Sequence, residues 1–341
     1  VKASKTTLRS TLVAALSVYL AACASPSVTK KSESPRGKSL PGQGDYQWET
    51  KTGWVRPTHG TWGQPSQIRT ESKEAFEAGA YADALDGLLE YRKRIQPDDA
   101  TAAETAFLIA ECYYFLGNYE KAIEYYREVY QKHKPEGDML NRTFQRIHDI
   151  ALDYLREKAA CTFLIFTYNC PSHGIDLLIG EEGLLKEYPN LPFADDALYE
   201  IGKYYFDSGQ YAEAVPIYER IVSDYPQSSD WRGPAEYHLA LATFKQVKGV
   251  DYDEKILEDA ERKFRQYLES NPRGPQAEDA RAKLREITEM LGEKNLRLAK
   301  FYLRESEPSS AKIYLRVVLE RYTTSTAARE AREIQTKLEK Y

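Results

Sequence analysis

Three residues lie close enough along the chain to do chemistry together: Cys161, Cys170 and His173. Two thiols separated by eight residues can close a disulfide in an oxidising compartment and pinch the chain between them. As thiolates beside an imidazole, the same sulfurs can hold zinc or attack a substrate. A thiol or zinc enzyme using Cys161, Cys170 and His173 is therefore one reading. Structural zinc wants four ligands in tight pairs, and this stretch supplies three in a loose spacing, so a disulfide is the favoured expectation. Other candidates offer less. His59, His133, His148 and His238 are scattered. Asp195 and Asp196 read as the start of a helix, where negative charge suits the macrodipole, and Glu181 and Glu182 read as a solvated helical face. No Gly-x-Ser-x-Gly, His-Glu-x-x-His or phosphate-cradling glycine loop occurs. The expectation is a protein that is not an enzyme, with no catalytic residue, metal site or cofactor.

Cys23 points to a different chemistry. Lys2, Lys5 and Arg9 form a cationic start, Thr11 to Ala22 form a mostly apolar stretch, and Leu20-Ala21-Ala22-Cys23 closes it. The stretch is shorter than the roughly 20 apolar residues a spanning helix needs, and small residues sit where a peptidase binds extended backbone. Its arrangement resembles a bacterial lipoprotein signal. That resemblance implies removal of residues 1–22 and fatty acylation of Cys23, palmitate included. An ordinary secretory signal with an incidental cysteine is the alternative. Each buried methylene contributes about 0.8 kcal/mol, so several acyl chains on Cys23 would hold the protein at a membrane. Ala24 in place of Asp after the cysteine implies the outer membrane by the sorting rule of enteric lipoproteins, with the chain on its periplasmic face. The longest later apolar run, Cys161 to Tyr168, is far too short for a second span.

The chain has 341 residues and a formal net charge of −5, which argues against nucleic acid as a partner. Residues 23–65 are rich in Ser, Pro, Gly and Lys without helical period and read as a lipid-anchored flexible tether. Trp48, Trp54 and Trp62 punctuate its second half. They would either staple the tether onto the first helices or present a partner-binding strip.

From residue 66 the pattern becomes paired helices ending in Pro, Gly or Asn. Leu198, Ile201, Gly202, Tyr205, Gly209, Tyr211, Ala214, Tyr218, Ile221 and Pro226 have the spacing of a tetratricopeptide repeat. The same frame fits Ile109, Ala110, Tyr113, Gly117, Tyr119, Ala122, Tyr126 and Val129, and again Gly79, Tyr81, Ala84, Leu88 and Tyr91. Small residues let two helices cross closely, and aromatic rings between them fill the groove. The fold expected is an all-α superhelix of about five to six helix pairs. Residues 66–256 form its N-terminal and central units, and residues 257–341 its C-terminal units with a polar capping helix over 327–340. An insertion at 160–174 breaks the pattern between helices around 141–159 and 175–187. Its β-branched and aromatic content predicts an extended or hairpin segment. Such a segment either packs on neighbouring helices or offers an apolar contact to a partner or the membrane. Cys112 lies in an apolar helical run as a small buried residue. In Tyr113-Tyr114, Tyr125-Tyr126 and Tyr204-Tyr205, one member is expected in the core and the other free to face a groove.

The C-terminal third goes beyond a generic repeat. Ala260, Phe264, Tyr267 and Pro272, then Ala277, Ala280 and Leu284 on a long helix reaching Ala299 and Tyr302, then Ala311, Leu315, Val318 and Tyr322, resemble the BamD family. The resemblance covers roughly residues 66–335 and is most specific over 257–322. It implies a lipid-anchored periplasmic scaffold of the β-barrel assembly machinery that binds a BamA-type insertase, other machinery components and unfolded outer-membrane proteins. The N-terminal units would receive the substrate's C-terminal strand and the C-terminal units the insertase. Only Cys23 carries over as a single functional residue. A YbgF-like repeat lipoprotein coordinating envelope growth or division is the alternative, although no heptad run precedes residue 66.

Overall fold

The structure, a computed structural model, describes residues 47–49, 53–55, 63–163, 166–249 and 254–339. Expectations that fall on residues 1–22, Cys23 and Trp62 lie outside the described residues. Two short strands, β1 (Gln47–Glu49) and β2 (Gly53–Val55), pair antiparallel, with Trp48 opposite Trp54. The stretch read as a flexible tether therefore contains a small ladder.

The remainder is a series of antiparallel helix hairpins. The first unit pairs α1 (Pro65–Glu77) with α2 (Tyr81–Arg94), and the second pairs α3 (Ala102–Phe115) with α4 (Tyr119–Arg127). A π-helical turn over Glu128–His133 extends α4. The third unit pairs α5 (Asp138–Leu155) with α6 (Pro171–Ile179) around strands β3 (Ala160–Phe163) and β4 (Phe166–Asn169); a single turn, α7 (Leu184–Glu187), follows. Then come α8 (Ala194–Asp207) with α9 (Tyr211–Asp224), and α10 (Arg232–Lys245) with α11 (Glu254–Ser270). The long α12 (Ala277–Arg304) packs on α11, on α13 (Pro308–Arg321) and on α14 (Thr326–Leu338), which ends the described chain. The all-α repeat architecture expected from the sequence is the one observed, with six hairpins among the described residues. No helix there is long and apolar enough to cross a membrane.

One row of side chains explains why these hairpins stack. Ala84, Ala122, Ala214, Ala260 and Ala311 occupy the same place in successive second helices, and each is fully buried. Four residues on come Leu88, Tyr126, Tyr218, Phe264 and Leu315, and three further on come Tyr91, Val129, Ile221, Tyr267 and Val318, all buried. Positions i, i+4 and i+7 share one helical face, so an alanine for close approach and two larger groups for filling recur in five of the six units, the third excepted. The first helix answers with a small residue of its own. A Cβ built on Gly202 would sit 2.8 Å from the Tyr218 ring, so the ring occupies the space a side chain would need. Gly79, Gly117 and Gly209 make the turns of units one, two and four at φ +78°, +75° and +73°, where other residues are strained.

The third unit departs from the expected boundaries. Its first helix is Asp138–Leu155 instead of 141–159, and the backbone reverses through Glu157 at φ +57°. The helix expected over 175–187 is split, because Gly180 and Gly183 are poor helix formers and close a tight turn of their own, N to O 3.0 Å. Glu181 and Glu182 lie in that turn and not on a helical face. Between α5 and α6, β3 and β4 form an antiparallel hairpin with Cys161 opposite Tyr168, as the residue content predicted. A disulfide joins Cys161 to Cys170 at its base, Cα to Cα 5.8 Å.

Candidate docking surface

First helices of neighbouring units are tied side by side through charge. Arg69 and Lys73 of α1 both bind Glu104 of α3, Lys73 at 2.5 Å. Glu111, one turn pair further along α3, is 1 % exposed. Its carboxylate accepts from Arg146 of α5 at two oxygens, Nε to Oε1 2.9 Å and Nη2 to Oε2 3.1 Å, and from the buried Tyr126 hydroxyl. Arg142 lies 3.8 Å from the same group. The next step runs from the end of α5 to α8, with Arg156 to Glu200 at 2.8 Å. Second helices make a separate layer, in which Arg92 meets Glu128, Lys263 meets Glu219 and Arg321 meets Glu258. Stacked pairs arranged this way present the first helices along one face, the surface on which repeat proteins hold a guest.

Electrostatics keep that face charged and defined. Burial pulls the Glu104 carboxyl upward, and the hydrogen bonds from Lys73 and Arg69 outweigh it, so the group sits below the usual carboxylate range. Burial opposes the Arg146 guanidinium, but its bonds to Glu111 raise it overall. Burial first, then the Glu111 charge and hydrogen bond, push the Tyr126 phenol well above its ordinary value. Both arginines also cover aromatic rings: Arg142 lies 4.9 Å from the Phe107 centroid, and Arg146 4.5 Å from Tyr114 and 5.3 Å from Phe115. Such stacks add roughly 0.5–1 kcal/mol each where solvent reaches them.

At the turns of units one and two the groove ends in an aromatic shelf. Tyr81 stacks on Phe115 at 4.4 Å and Phe76 meets Tyr81 at 5.5 Å. Phe115 and Leu116 remain 43 % and 46 % exposed, adjacent members of a short set of large apolar side chains left in solvent among the described residues. At the far end Phe301 of α12 and Ile313 of α13 are exposed, and a groove of about 440 Å³ between α13 and α14 is lined by Ile313, Leu315 and Leu319 together with Lys312, Arg316, Glu320 and Gln335.

The residues singled out from the sequence distribute differently. Cys161 and Cys170 are together in the disulfide, so neither offers a thiolate, and His173 packs edge-on against Tyr154 at 5.0 Å. Among the described residues no group of three or more His, Cys, Asp or Glu side chains could hold a metal ion. Cys112 is buried in α3, and burial pushes its thiol up to about 12. Asp195 and Asp196 do occupy the first turn of α8. Of the tyrosine doublets only Tyr125-Tyr126 has a fully buried member, Tyr126, and its Tyr125 stacks on Tyr113 at 5.7 Å instead of facing a groove. Tyr113, Tyr114, Tyr204 and Tyr205 are all half-buried against the core. Glu111, Arg142, Arg146 and Phe115 were not picked out from the sequence. Glu111, set between Ala110 and Cys112 in the apolar half of α3, was the available signal, since such a group must find a cation.

Comparison with known proteins agrees with the C-terminal resemblance. Residues 182–341, from just before α7 through α14, match the YfiO family of outer membrane lipoproteins, and residues 103–131 match a tetratricopeptide repeat family. The outer membrane protein assembly factor BamD of Caulobacter vibrioides is 26 % identical over 146 residues, 43 % of this chain and 48 % of that one. The matched stretch thus spans about half the length of that relative. The chain is BamD-like over this stretch, narrower than the 66–335 expected. A tetratricopeptide repeat protein from Parabacteroides merdae is 16 % identical, covering 75 % of this chain and 93 % of its own, with a TM-score of 0.33. The type IV pilus biogenesis factor PilW is also 16 % identical, covering 79 % and 99 %, at a TM-score of 0.27.

Proposed function

We propose that this chain is a periplasmic scaffold of outer-membrane β-barrel assembly, lipid-anchored through Cys23 and working by holding other proteins. The observation that carries the reading is the BamD-like stretch over residues 182–341, coincident with the long α12 and the units it joins. Units one to three supply a groove suited to an unfolded guest. Its arginines and aromatic rings accept extended backbone, apolar side chains and a terminal carboxylate without demanding one sequence. The surface of α12 to α14, with exposed Phe301 and Ile313 and a mixed apolar and charged groove, is where a BamA-type insertase, with other machinery components, is held. Two separate surfaces on one stiff stack let a guest and an insertase be bound at the same time.

Affinity capture from detergent-solubilised envelopes tests this. A BamA-type barrel should copurify with the chain, and substitution of Ile313 and Phe301 by Asp should reduce its yield. Recovery of peptidoglycan-linked or division proteins in its place would favour the YbgF-like role and contradict the assembly one.

A further inference from the structure

We propose that the tryptophan hairpin of the tether, residues 47–55, docks on the aromatic shelf formed by Tyr81, Phe115 and Leu116 of the same chain. The shelf needs a cover. Phe115 and Leu116 are consecutive, both more than two-fifths exposed, and backed by the Tyr81 and Phe76 rings, so the apolar surface is continuous and not a scattered residue. A natural occupant lies immediately upstream in the sequence. The ladder places Trp48 directly opposite Trp54, and opposite positions share one face of a two-stranded ribbon. A lone two-stranded ribbon is marginal in water and needs a surface to pack on.

Chain length allows it. The Gly63 carbonyl accepts from Arg94 at the end of α2, which fixes the chain at the edge opposite the shelf. From there α1 runs 13 residues to Glu77, about 20 Å at 1.5 Å per residue. Val55 precedes Gly63 by eight residues, and eight extended residues reach about 26–29 Å. The hairpin can therefore lie along α1 and reach Phe115 and Leu116. An aromatic guest in the groove would then meet a tethered competitor that it must displace.

The test uses the full chain in detergent with Trp62→Phe and Trp231→Phe, so that emission comes from Trp48 and Trp54 alone. Acrylamide quenching is compared with the same chain carrying Phe115→Asp and Leu116→Asp, and helicity is checked by circular dichroism. Both side chains are more than two-fifths exposed, and unchanged helicity shows that loss of the Phe115–Tyr81 stack has not unfolded the helices. The proposal expects shielded indoles in the parent and at least a twofold rise in quenching in the Asp variant. Quenching in the parent equal to that of free N-acetyltryptophanamide, or unchanged by the Asp pair, would overturn it. Shielding lost on dilution would also overturn it, by assigning the shelf to a second copy. No outcome depends on an insertase, so failure here is separable from failure of the assembly reading.

Discussion

Glu111 is the residue on which the N-terminal groove turns. A buried carboxylate is costly unless cations stay beside it, and here Arg146 supplies two bonds while Arg142 stands further off. Arg146→Met should destabilise the fold by about 3 kcal/mol in urea melts, and adding Glu111→Gln should restore most of the loss. A cost within the roughly 0.5 kcal/mol of a surface substitution would mean the pair is not structural. His238 gives the acid side of the account. Its ring lies among Tyr199, Phe206, Tyr218 and Tyr237, with burial lowering its pKa against a smaller upward pull from Asp207. Above about pH 6.5 both folded and unfolded forms are neutral there. As the pH falls below that value the unfolded chain takes a proton the folded chain refuses, so stability drops until the lower folded pKa is passed. His238→Phe should flatten the fall in melting temperature between pH 6.5 and 5, and an unchanged slope would assign it to other groups.

At the scale of elements, the second helices carry most of what the sequence makes legible. Their small residue and its two larger followers recur at fixed spacing, which is why units one, two, four, five and six are legible in the sequence alone. The third unit hid for a physical reason. Gly174 stands where the other second helices have alanine, and a Cβ there would meet the Ala151 carbonyl at 2.4 Å, so the frame is kept with a residue that carries no pattern. Its second helix is also cut short by Gly180. The groove was less legible than the fold, because Glu111, Arg142 and Arg146 are polar residues whose partners lie 31 to 35 positions away. The helix-to-helix contact gives a sharp prediction. Gly202→Ala gains helix propensity of about 1 kcal/mol, but the fully buried Tyr218 ring must move, and overpacking of this kind costs roughly 1–3 kcal/mol. A net loss of stability by thermal melting is expected. A gain would show that the ring yields freely.

For the whole molecule, the account is of a stack with two unlike ends. Charged and aromatic groups link the first helices of the first three units, while the last units pair a 28-residue helix with exposed Phe301 and Ile313. The cysteines inside the described body are one disulfide and one buried thiol. The assembly role is tested most directly by controlled depletion of the chain in growing cells, followed by quantitative proteomics of the outer membrane. The account predicts that several β-barrel proteins fall together while lipoproteins of the same membrane hold their levels. Unchanged β-barrel levels, with cells failing instead in envelope constriction, would contradict it.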